Sequence, residues 1–84
     1  MFTQSFSVAG SSLELLNTGE RGIVTKFRST DETIIEKLMA MGLTPGVTIT
    51  LEQRFPSFVI KVGNARITLD RRIARAIYVR IGDR

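Results

Sequence analysis

The side chains able to do chemistry in this 84-residue chain are carboxylates, methionine thioethers and arginines, because cysteine and histidine are both absent. Their absence removes the thiol nucleophile, the usual zinc spacings and the commonest general base near neutral pH. The carboxylates Glu14, Glu20, Glu32, Glu36, Glu52 and Asp70 fall at scattered turn, helix and strand positions. None of them forms an acid–base couple or supports an activated nucleophile. No G-x-x-x-x-G-K-S/T phosphate loop is present, which excludes a P-loop GTPase. Asp31, Glu32 and Glu36 do cluster, but a helix start explains them, since the helix dipole favours negative charge there. With only Met39 and Met41 to add as ligands, the residue types predict no catalytic residue, no cofactor and no metal site. They predict a protein that works by contact.

Charge says what kind of contact. The formal net charge is +4, which favours anionic partners. Arg66, Arg71, Arg72, Arg75, Arg80 and Arg84 crowd the last quarter, opposed there only by Asp70 and Asp83. Arg71, Arg72, Arg75 and Arg80 are able to pair with phosphates, and the first three fall within about one helical turn. A nucleic-acid-binding role for this basic C-terminal face is therefore the alternative reading. Stacking aromatics argue against it: Tyr78 is the only strand aromatic expected to face outward nearby, and Phe55 sits in a loop. Capture of a proline-rich peptide needs a line of exposed aromatics, and the chain has five Phe, one Tyr and no Trp.

The positioning elements follow from periodicity. Residues 1–11 read as a flexible N-terminal tail or a weak edge strand, with Phe2, Phe6 and Val8 able to add that strand or to mediate self-association. Residues 12–84 read as one domain. Ser12 to Leu16 predicts a helical turn, with Leu15 and Leu16 pointing inward. A first strand over Arg21–Phe27 follows the Asn17-Thr18-Gly19-Glu20 turn. The best helix starts at the capping residues Ser29 to Glu32 and carries Ile34, Leu38 and Met41 on one face, with Ile35 and Met39 widening it. Gly42 ends it in the left-handed position, with Leu43 folding back on its last turn.

Thr44-Pro45-Gly46-Val47 then predicts a type II turn leading into a strand with Val47, Ile49 and Leu51 on one face. Phe58, Ile60 and Val62 form the inner face of the next strand, Ala65, Ile67 and Leu69 that of its hairpin partner across Gly63-Asn64. Asp70 caps a short helical turn over Arg71 to Ala76 that carries Ile73 inward, and Ile77, Val79 and Ile81 alternate with Tyr78 and Arg80 in a last strand. The sum is a mainly β protein: a small SH3-like β-barrel of about five strands, with one inserted helix and a helical turn before the last strand.

Three stretches carry a family resemblance. Leu16-Asn17-Thr18-Gly19-Glu20-Arg21-Gly22-Ile23-Val24 resembles the opening L-x-x-G-x-x-G-x-I/V of the FeoA family. Leu38-Met39-Ala40-Met41-Gly42-Leu43-Thr44-Pro45-Gly46-Val47 resembles its hallmark L-x-x-M-G-L-x-P-G-x, and Ile67 to Val79 is similar to its closing block. The resemblance implies an SH3-like barrel with an inserted helix. It also implies an accessory role in bacterial ferrous iron uptake, with a FeoB-type membrane transporter, through its cytosolic region, as partner. The same domain closes metal-dependent repressors of the diphtheria-toxin-repressor type. With no helix-turn-helix ahead of it, this sequence resembles the free-standing form.

Within the hallmark block, Gly42, Pro45 and Gly46 are expected to shape a rigid corner by backbone geometry alone. Met41 and Leu43 beside it either fill the core or are the protein-contact residues, with Arg71, Arg72 and Arg75 as an electrostatic supplement. The segment MFTQSFSVAG does not read as a signal peptide, and no stretch has the roughly 20 apolar residues that span a bilayer. The expected location is cytoplasmic, without membrane insertion.

Overall fold

Period-two alternation builds most of the molecule. The computed structural model describes residues 10–29 and 31–81; the expectations for Phe2, Phe6 and Val8, and so for self-association through them, lie outside these residues. The elements in chain order are β1 (Ser11–Ser12), a 3-10 turn (Leu13–Leu15), β2 (Arg21–Phe27), α1 (Glu32–Ala40), β3 (Thr48–Gln53), β4 (Phe58–Val62), β5 (Ala65–Leu69), α2 (Arg71–Ala76) and β6 (Ile77–Ile81). The six strands form one antiparallel sheet in the order β1-β6-β2-β3-β4-β5.

This is the expected mainly β, SH3-like architecture, with two differences. Ser11 and Ser12 pair with Val79 and Tyr78, adding a sixth strand and moving the start of the folded unit back to Ser11. The hydrogen-bonded sheet is also open, ending at β1 on one side and β5 on the other. A two-residue β1 is too short to close the ladder, and α2 packs instead against the 3-10 turn. Leu13, Leu16 and Ala74 from these two pieces are fully buried and complete the core where strands do not.

Each strand delivers alternate residues inward. Val24, Ile49, Leu51, Ile60, Ile77 and Val79 are all buried to within 1%, and each contributes about 1.5–3 kcal/mol of burial. The 3-10 turn corrects one expectation. Leu13 and Leu16 point inward, whereas Leu15 is 67% exposed. At three residues per turn, positions i and i+3 share a face, and that pairs Leu13 with Leu16.

Two register shifts interrupt the alternation. One lies in β2 between Val24 and Lys26, opposite β6; the other lies in β3 between Leu51 and Gln53, opposite β4. A bulge of this kind adds twist and re-aims the side chains after it. In β2 it leaves Thr25 free to donate its hydroxyl to the Tyr78 carbonyl at 3.1 Å and sets Lys26 opposite Tyr78.

Candidate functional site

The helix-to-strand corner is built from backbone. Asp31 caps α1, its carboxylate accepting from the Thr33 amide at 3.0 Å, while the Ser29 hydroxyl accepts from the Asp31 amide at 3.0 Å. Asp31 is thus the N-cap among the several candidates in the sequence. At the other end Gly42 has φ +97°, the Leu43 amide donates to the Leu38 carbonyl, and the Gly42 amide donates to the Met39 carbonyl, both at 3.0 Å. These are the two bonds of a Schellman motif.

The turn that follows closes through the Val47 amide on the Thr44 carbonyl at 3.1 Å, with Gly46 at φ +99° as the left-handed residue. Two further bonds tie the corner to β2: the Gly46 amide donates to the Val24 carbonyl at 2.7 Å, and the Val24 amide to the Val47 carbonyl at 2.9 Å. Pro45 presets the turn between them.

The side chains at this corner divide. Leu43 has 0% exposure and belongs to the core, so its expected role as a contact residue is corrected. The Schellman geometry is the reason, because it folds the C″ side chain back onto the last helical turn. Met41 is 46% exposed and Met39 43% exposed. Of the predicted pair, only Met41 offers surface; Met39, two residues earlier, is exposed on a different side of the helix.

The arginine cluster divides as well. α2 begins at Asp70, whose carboxylate accepts from the Ile73 amide at 2.9 Å. Arg71 and Arg75, four residues apart and so on one helix face, both reach Glu14 on the 3-10 turn. Their Nε atoms lie 3.8 and 3.3 Å from its two carboxylate oxygens. Arg72, one residue after Arg71, makes no ion pair among the described residues. It lines a groove between α2 and the segment linking β2 to α1, together with Lys26, Arg28 and Arg75. Met41 is not part of that groove. It lies about 10 Å along the helix axis from Ile34, the α1 residue that is. The corner and the basic face are therefore two surfaces.

Sequence reasoning missed three participants. Lys26 and Arg28 stand over the Tyr78 ring at 5.9 and 5.5 Å from its centroid, so the expected outward stacking ring is engaged by cations of its own chain. Knowing that β2 neighbours β6 would have revealed this, and that pairing is not readable from either strand alone. Arg54 donates to the Glu14 carbonyl at 2.8 Å and to the Leu16 carbonyl, while its guanidinium sits 5.5 Å over the Phe58 ring. It fastens the 3-10 turn that carries Glu14, and nothing local to Arg54 announces it.

No group of three or more His, Cys, Asp or Glu side chains gathers to hold a metal among the described residues. Asp31 and Asp70 are occupied as caps, and Glu52 is paired with Arg66 at 2.6 Å. No helix among the described residues is long and apolar enough to cross a membrane.

Such a molecule is a small SH3-like domain whose charged side chains meet one another or lie at its surface. The chain belongs to the FeoA family: the FeoA domain matches residues 11–81. A Leptolyngbya boryana protein named "Putative Fe(2+) transport protein A" is 39% identical over 77 residues, covering 90% of this chain and 94% of that protein. A crystal structure of an iron uptake regulatory protein (FeoA) is similar with a TM-score of 0.76 at 31% identity, covering 84% of this chain and 95% of that one. The solution structure of iron(II) transport protein A from Clostridium thermocellum has a TM-score of 0.74 at 34% identity, covering 83% of this chain and 44% of that one. The T. acidophilum protein IdeR has a TM-score of 0.83 at 23% identity, covering 94% of this chain and 37% of its own, a likeness of fold alone.

Proposed function

We propose that this protein is a non-enzymatic, cytoplasmic accessory factor of ferrous iron uptake that docks on the cytosolic region of a FeoB-type transporter. It would modulate the transporter's GTPase cycle or gating by contact. The observation that carries this reading is the FeoA match over residues 11–81, supported by a relative at 39% identity named for Fe(2+) transport. The iron is cargo of the pathway, and the described residues offer no gathered donor set for it.

Met41 is the apolar contact in this reading. Methionine suits the task because its unbranched thioether adapts to irregular surfaces. Arg71, Arg72 and Arg75 supply long-range attraction, which raises the association rate more than the affinity. The nucleic-acid alternative has less support, since Glu14 engages Arg71 and Arg75 and the Tyr78 ring is flanked by Lys26 and Arg28.

The test is an amide NMR titration of the labelled full chain with the transporter's cytosolic GTP-binding domain at physiological salt. Shifts or broadening at Met39 to Gly46 are expected, and Met41→Glu should weaken binding by about tenfold, roughly 1.4 kcal/mol. An unchanged spectrum at saturating transporter domain defeats the docking reading.

A further inference from the structure

The groove between α2 and the β2–α1 segment has a volume of 1040 Å³ and carries more positive charge than its own acids neutralise. Its walls hold Lys26, Arg28, Arg72 and Arg75 against Asp31 and Asp70. Both of those carboxylates already accept amide bonds as helix caps, from Thr33 at 3.0 Å and from Ile73 at 2.9 Å. Glu14, outside the groove, answers only Arg75 among the four cations. Lys26 and Arg28 are held beside Tyr78 by a ring, which attracts a cation without cancelling its charge. Arg72 has no counter-ion among the described residues.

The floor differs from the walls. Phe27, Ile34 and Ile73 line the groove while packing, half-buried, against the hydrophobic core. An apolar floor under cationic walls is matched by an apolar side chain flanked by carboxylates. A bare phosphate chain satisfies the walls and leaves the floor wet, so the floor selects against nucleic acid.

We infer that this groove is a docking site for an acidic protein segment, a short stretch in which Asp or Glu residues flank one or two large apolar side chains. The segment's carboxylates meet Arg28 and Arg72, which stand on opposite sides of the groove, one on the β2–α1 segment and the other on α2. Its apolar side chain covers Ile34 and Ile73. Guanidinium groups favour this use because their planar fork matches a carboxylate with two parallel bonds. The inference rests on the docking reading only in requiring a protein partner, and it concerns a different surface from the Met41 corner.

The probe is an acetylated, amidated peptide of sequence Glu-Asp-Leu-Glu-Phe-Asp-Glu, titrated into the labelled full chain by NMR at physiological salt. Controls are its neutral counterpart Gln-Asn-Leu-Gln-Phe-Asn-Gln and a short DNA duplex. Expected are shifts at Ser29, Ile34, Ile73 and Ala76 with the acidic peptide, and none there with the neutral one. Arg28→Glu with Arg72→Glu should weaken the acidic peptide by tenfold or more, about 1.4 kcal/mol. Should the double reversal disturb the spectrum, Arg28→Gln with Arg72→Gln replaces it, and a clear loss of affinity is still expected.

Equal binding of the neutral peptide, stronger binding of the duplex at these residues, or no shift there with the acidic peptide overturns the inference. Peptide binding without binding of the transporter domain refutes the docking reading and leaves the groove assigned. Transporter shifts confined to Met39–Gly46, with no peptide shifts, do the reverse.

Discussion

The corner at Leu38–Val47 and the face of α2 are the two most sharply formed surfaces of this molecule, and they are made by opposite means. At the corner, backbone amides and carbonyls satisfy one another in the Schellman pair, the type II turn and the two bonds to β2. No charged side chain takes part. At α2, a helix of six residues is anchored by buried Ala74 and capped by Asp70, and its outer face is made by ion pairs from Arg71 and Arg75 to Glu14. The first surface is rigid because its backbone groups bond one another within the turn and, across more than twenty residues, to β2. The second is adjustable because exposed ion pairs are weak and screened by salt. A contact protein gains from both, shape at the corner and attraction at the arginines.

The largest test of this contrast lies within the corner itself. Leu43→Asp should abolish folding, since losing a fully buried leucine costs about 2–5 kcal/mol and burying an unpaired charge costs several more. Small domains hold only about 5–15 kcal/mol in total. Met41→Asp, two residues away and half exposed, should cost no more than about 1 kcal/mol, set by a negative charge at the C-cap of α1. Thermal unfolding followed by circular dichroism separates the two. Similar melting temperatures for both variants would mean that Leu43 is not a core residue and that the corner is an exposed apolar surface.

A medium effect is expected at Gly42. A Cβ there meets nothing within 4 Å, so space is not the obstacle. The φ of +97° is, because it lies where a side chain is disfavoured. Gly42→Ala should destabilise by about 1 kcal/mol, lowering Tm by about 4–8 °C in a domain of this size. The loss should be independent of salt. A salt-dependent loss would place charge at the corner after all and break the contrast with α2.

The same contrast sets how much was legible in the sequence. The corner was nearly complete there, because Gly42, Pro45 and Gly46 act on their immediate neighbours and the signals for those turns are local. The inner faces of β3 and β4, and of β6 at Ile77 and Val79, were legible for the same reason, as alternation is a property of one strand; Ile81, at the end of β6, is 50% exposed. What failed was long-range or finely rotational. Leu43 reads as surface or core until the turn fixes its direction. Leu15 and Leu13 exchange places between a 3.6-residue and a 3.0-residue period. The tie from Arg54 to the Glu14 carbonyl spans 40 residues of chain and that from Arg75 to the Glu14 carboxylate spans 61. No local pattern encodes either. The groove was invisible because its cations come from β2, from the segment after it and from α2, and only the fold brings them together.

The smallest expected effect bears most directly on the adjustable surface. Glu14→Gln keeps the shape of the side chain and the carbonyl that Arg54 holds, but it removes the charge facing Arg71 and Arg75. Both arginine side chains are more than 60% exposed, so each pair contributes only a few tenths of a kcal/mol, about 0.2–1 at most. Lost together, the two pairs should lower Tm by about 2–4 °C at low salt, less than Gly42→Ala. The difference from the parent should vanish near 1 M salt, where screening acts over about 3 Å. Binding should move the other way. With Glu14 neutral, Arg71 and Arg75 are released and the net charge rises from +4 to +5, so an acidic partner should associate faster at low salt. If Glu14→Gln instead costs as much as Gly42→Ala, and does so in high salt, then the ion pairs hold the 3-10 turn in place. The α2 face would then be as rigid as the corner.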